Sequence, residues 1–108
     1  MSTPIVTTLG TRTSAGATDF QALGPQDNVL FQVDVSSIGT NVVIRLEGSV
    51  DATTWFNLNA SGDITLTANG TTGYALVQVP VPFIRGRLVS FSGGTPSVVF
   101  KAAMSTGI

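Results

Sequence analysis

The chain contains no cysteine and no histidine. Disulfide bridges, thiolate zinc sites, cysteine nucleophiles and every histidine-based triad are thereby excluded together. Charge is also scarce: Asp, Glu, Lys and Arg make up 10% of the residues, where an ordinary soluble domain has about 25%. Five basic and six acidic side chains leave a formal net charge of −1. There is no basic stripe to displace counterions from phosphate, so nucleic acid is not an expected partner. No apolar run approaches the roughly 20 residues that span a bilayer, and the opening MSTPIVTTLG lacks the basic-then-apolar pattern of a secretory signal. The expectation is a chain with no enzymatic activity, no cofactor, no metal and no membrane association.

What is present points to a folded body. The 108 residues are 43% hydrophobic with a mean hydropathy of +0.38, which is too apolar for a disordered chain and the right size for one domain. With so few charges the surface must be covered by Thr, Ser, Asn, Gln and Gly. Near-zero net charge favours association over free solubility, which fits a surface buried in an assembly as well as it fits a small neutral β domain.

No helical period persists anywhere along the chain. Twelve glycines and five prolines cut it into short Thr- and Val-rich segments, the pattern of an all-β protein. Pro4 to Leu9 has strand composition, but Gly10 to Asn28 is small, polar and aperiodic, with Phe20 and Leu23 as its large apolar residues. Residues 1–28 are therefore expected to form an N-terminal arm or long loop, and residues 29–108 the β-sandwich domain.

From Val29 onward the alternation is clear. Val29, Phe31, Val33 and Val35 share one face, and Val42, Ile44 and Leu46 share the next, opposite Val43, Arg45 and Glu47. Ile84 and Leu88 oppose Arg85 and Arg87, and Val98, Phe100, Ala102 and Met104 form the last inward set. Tyr74 to Val81 has strand character, with Pro80 and Pro82 marking an edge or a bend. Ser37–Asn41, Asp51–Thr54, Asn69–Gly70 and Ser92–Pro96 are expected turns. About seven or eight short strands spaced this way predict an antiparallel β-sandwich or jelly roll.

Few constellations carry chemistry. Glu47 and Asp51 flank a bend, but nothing fixes them as the paired carboxylates of a glycosidase, and Asp51 is better placed to bond backbone N–H groups of its own turn. A calcium loop of alternating acids is absent. Arg85 and Arg87 project from one strand face, as do Arg45 and Glu47. Such pairs form either a cross-strand ion ladder on the solvent side or a contact patch for an acidic partner surface. Trp55 and Phe56 are adjacent, so a strand sends them to opposite faces; core filling is expected for Trp55, with stacking on a sugar ring or a subunit as the alternative. The sequons at Asn59 and Asn69 are read as chance.

The run Glu47-Gly48-Ser49-Val50-Asp51-Ala52-Thr53-Thr54-Trp55, with Leu58 following, resembles the E-G-S-x-D-G-x-x-W motif of small β-sandwich virion structural proteins of tailed bacteriophages. Pro82-Phe83-Ile84-Arg85-Gly86-Arg87-Leu88 is similar to their P-F-x-R-x-R strand, and Ser92-Gly93-Gly94-Thr95-Pro96-Ser97-Val98 to the glycine-rich turn into their last strand. The likeness spans Val29 to Met104, with Ala52 standing where the pattern has glycine. The motif marks a hairpin and core and transfers no binding residue.

The resemblance implies a non-enzymatic head decoration (cement) protein on the capsid surface, made in the bacterial host cytoplasm. Its partners would be the major capsid protein and further copies of itself, as a homotrimer, and multivalent contacts would supply the strength. Candidate partner or oligomer contacts are Ile5 and Val6 as an added edge strand, Phe20 and Leu23 as docking side chains of the arm, and Trp55, Arg85 and Arg87. A tail, neck or fibre component of the same kind of particle, and a carbohydrate-binding β-sandwich module using Trp55, Asn57 and Asn59, stand as alternatives.

Overall fold

Strands bury every second side chain, and here that alternation pauses at residues that resemble turns while the strand pairing runs on through them. The computed structural model describes residues 5–76, 79 and 81–106. Among them there is no helix, and eight strands pair antiparallel throughout: β1 (Ile5–Arg12), β2 (Gly16–Ala17), β3 (Gln21–Ala22), β4 (Asn28–Ser49), β5 (Phe56–Asn57), β6 (Ile64–Leu66), β7 (Gly70–Leu76) and β8 (Phe83–Ser105). The all-β antiparallel class expected from the sequence is the one observed. The strands are not uniformly short, however. β4 has 22 residues and β8 has 23, and the two pair from Asn28 opposite Ser105 to Ser49 opposite Phe83.

Ser37–Asn41 and Ser92–Pro96 are therefore corners inside two long strands rather than turns between short ones. Register shifts fall between Ser36 and Ile38 and between Ile38 and Asn41. Ser37, Gly93 and Gly94 take positive φ values of 55°, 69° and 59°. Gly39 lies so close to the Gly93 backbone that a side-chain carbon there would overlap it. Glycine lets both strands bend at one place without losing their pairing.

The corner folds the β4–β8 ribbon back over itself. One layer holds β1, residues 97–105 of β8, residues 28–36 of β4, and β7. The other holds β2 and β3, residues 83–92 of β8, residues 41–49 of β4, and β5 and β6. The sheet stays open, ordered β1-β8-β4-β5. The layers meet where the Phe100 ring occupies the space above Gly86, in the other half of the same strand. Phe31, Val33, Val42, Ile44, Ile84, Leu88, Val98 and Phe100 are all fully buried between them, so each inward set read from the sequence does face inward.

The segment ahead of Val29 belongs to this body from Ile5 onward. β1 lies along β8 from Met104 to Val98, and β2 and β3 continue along the same edge opposite Arg87–Leu88 and Phe83–Ile84. Leu9 and Leu23 are buried in the core, and the Thr18 N–H donates to the Gly86 carbonyl at 2.9 Å. The segment lacked a visible period because an edge strand bonds on one side and needs few inward anchors. Residues 1–4 of the expected arm lie outside the described residues, as do Val77, Gln78 and Pro80 of the strand expected over Tyr74–Val81, which is observed to Leu76. Asn69–Gly70 does bend the chain, but it joins β6 and β7 across the two layers rather than as a hairpin. The Asn69 side-chain Oδ1 accepts the Ile38 N–H at 2.9 Å and ties this bend to the β4 corner.

Gly86→Ala is expected to lower stability by about 1–3 kcal/mol, the usual cost of forcing volume into a packed core. Chemical denaturation of Gly86→Ala, Phe100→Leu and the double variant should show the double losing less than the two single losses combined. Strict additivity would contradict the close packing of the layers.

Candidate functional site

Cross-strand register builds the site. Glu47 of β4 lies opposite Arg85 of β8, and Arg45 lies opposite Arg87. Their neighbours Ile44, Leu46, Ile84 and Leu88 point into the core, so alternation sends these four charged side chains to the outer face of that layer. Glu47 is the hub. One carboxylate oxygen accepts from Arg85 Nε at 2.7 Å and the other from Arg87 Nε at 3.0 Å, while Arg45 approaches to 3.6 Å. The Glu47 side chain is only 3% exposed, and the arginines around it are 17–35% exposed.

Arg45 reaches outward as well and grips Asp63 through two hydrogen bonds of 2.7 and 3.0 Å. The Asn57 amide donates to the same carboxylate at 3.0 Å. The Arg45 hydrogen bond holds the Asp63 carboxyl below its ordinary value, and Asp63 in turn raises Arg45. Three guanidinium groups against two carboxylates leave one positive charge in excess, on a face framed by fixed hydrogen bonds.

An aromatic group adjoins the charges. The Arg85 guanidinium sits 4.0 Å above the Trp55 ring, a cation–π contact. Phe20 packs 6.0 Å from Trp55 and edge-on to Phe83 at 5.4 Å. Arg45, Glu47, Arg85, Arg87 and the Trp55 ring line an open cleft of about 690 Å³, which Thr53, Thr54 and Gly16 also border.

The turn before Trp55 sets the ring in place. Asp51 accepts the N–H groups of Thr53 and Thr54, each at 2.9 Å, and the Ser49 hydroxyl at 3.1 Å. These bonds, the backbone donors foremost, lower the Asp51 pKa. Asp51 thus does cap its own turn as the sequence indicated. The buried Ser49 oxygen accepts the Ala52 N–H at 2.9 Å. Ala52 sits at φ 62°, a left-handed conformation that suits glycine better; the departure from the resembled motif falls on that position.

The structure joins some of the sequence candidates and separates others. Arg85, Arg87 and Trp55 come together at the cleft, and Phe20 packs against Trp55 without lining it. Trp55 does not fill the core, because Arg85 holds it on the outer face, and its neighbour Phe56 is 58% exposed. Leu23 is a core residue and unavailable for docking, while Ile5 and Val6 pair with β8 of their own chain at the far end of β1. Glu47, Arg45 and Asp63 complete the site but were not singled out as a unit. The signal was the two-residue spacing of Arg45 and Glu47, which needed the β4–β8 register to become a network.

Glu47→Gln is expected to destabilise the fold by about 1–3 kcal/mol, short of the full cost of breaking a buried ion pair because the arginines reach water. Equal denaturation midpoints for the two proteins would contradict the hub role. Asp51, Asp63 and Asp34 all have lowered pKa values. The stability they contribute is fully present above their ordinary value of 3.8 and is lost as pH falls through the lower folded values. The melting temperature should therefore drop below about pH 4, and Asp51→Asn and Asp63→Asn should each flatten that drop.

No protein-family model matches the chain, and no curated protein matches it in sequence. Among solved structures, the chain is similar to the crystal structure of the SPBc2 prophage-derived protein YomS, with a TM-score of 0.64, 14% identity and 97% of each chain covered. At that identity the likeness is one of fold, and it extends over nearly the whole of both chains.

Proposed function

We propose that this protein is a bacteriophage virion structural protein, a capsid decoration (cement) protein that binds and bridges neighbouring major capsid subunits on the particle surface. The observation that carries this reading is the fold shared almost end to end with a prophage-derived protein. The low-charge Thr-rich surface supports it, since such a surface suits burial in an assembly.

The cleft supplies a contact chemistry. Arg87 and Arg45 are held by Glu47 and Asp63 before any partner arrives, so little side-chain freedom is lost on binding. Their excess positive charge suits an acidic patch on a capsid subunit, with Trp55 as the apolar border. Trp55 already gives a ring face to Arg85, which favours a protein contact over a platform for a sugar ring. The role is one of binding, without catalysis.

Co-sedimentation with assembled shells of the cognate phage tests the reading. The wild-type chain should pellet with shells, and Arg87→Gln should weaken binding by about tenfold, the worth of one charge-assisted contact. A folded wild-type protein that stays in the supernatant would overturn the proposal.

A further inference from the structure

Edge strands invite pairing, and folded chains blunt them by brevity, bulges, prolines or charges. Most edges of this sheet are blunted. β2, β3, β5 and β6 have two or three residues each. β1 is longer but has a register break between Thr8 and Gly10 and ends at Arg12. β7 has none of these devices. Its seven residues, Gly-Thr-Thr-Gly-Tyr-Ala-Leu, include no charge and no proline, and they pair with β4 without a register shift. Among the described residues no strand covers its other side.

We infer that β7 is a self-pairing edge, on which a second copy of this chain lays its own β7 antiparallel about a two-fold axis at Gly73. Backbone groups on the open edge require a strand as the occupant, and the side chains favour an identical one. Two-fold pairing sets Thr72 opposite Tyr74, Thr71 opposite Ala75 and Gly70 opposite Leu76, so each larger side chain meets a smaller one and no like charges face each other.

The outer face adds an apolar contact at the axis. Leu30 is 44% exposed and lies opposite Ala75 in the register. Its Cδ1 leans over Gly73, at 3.4 Å from where a Cβ would stand. Pairing about Gly73 brings the two Leu30 side chains toward each other over a floor of glycine and alanine. The nearest charges, Asp34 and Lys101, pair with each other at 3.5 Å and present no net field to a copy. A dimer of this kind joins two sheets into one. It is independent of the virion reading, which concerns the cleft in the other layer.

Sedimentation velocity of the full chain over a range of micromolar concentrations tests the pairing. The wild type should sediment as two copies of the 11.1 kDa chain. Gly73→Lys puts two like charges at the axis and should weaken dimerisation by about tenfold or more; the added Cβ meets only ordinary contact distances, so the fold is expected to persist. Ala75→Lys, at an exposed edge position, should act in the same direction, while Thr8→Lys on β1 should leave the dimer intact. A monomeric wild type, or a dimer unaffected by either β7 lysine, would overturn the inference. So would a trimer, or a dimer dispersed by Thr8→Lys, because both require head-to-tail pairing of unlike edges.

Discussion

The close approach of Phe100 to Gly86 is the contact on which the architecture turns. Two strands that stay hydrogen-bonded through a shared corner can enclose a core only if their two halves come face to face. Gly86 leaves the gap that the Phe100 ring fills, and Gly39 against Gly93 leaves the backbone room to bend. Everything else attaches to this folded ribbon: β1, β2 and β3 along the outer side of β8, and β5, β6 and β7 along the outer side of β4.

The same ribbon explains why the charged cleft has its shape. The register that seats Ile84 and Leu88 in the core sets Arg85 across from Glu47 on the outside. The cleft is thus a consequence of core packing, and its arginines stand where the register of β4 and β8 places them. Its stability depends on a nearly fully covered carboxylate shared among guanidinium groups, an arrangement in which the loss of the hub leaves uncompensated charge.

Much of the fold was legible in the residues. Period-two alternation identified the inward faces of β4 and β8 because both layers bury one side of each strand. The corners were not legible: Ser37-Ile38-Gly39 and Ser92-Gly93-Gly94 have the composition of a turn, and a strand that bends with its partner uses the same residues. The edge strands before Val29 were hidden because, among the described residues of that segment, only Leu9, Thr18 and Leu23 are buried. At the site, Arg85 and Arg87 were readable as a same-face pair, but their carboxylate lies 38 and 40 residues away in sequence, and only pairing register brings it there. Trp55 was misplaced because a lone Trp beside a strand has the composition of a core residue, whereas a cation held it outside.

The most direct measurement of the central claim is quantitative mass spectrometry of purified particles of the phage proposed to encode this chain. A decoration protein should be present in copy numbers comparable to those of the major capsid protein and should remain after the particles are banded and washed. Absence from the particles, with the protein abundant in the infected-cell lysate, would contradict a structural role in the virion.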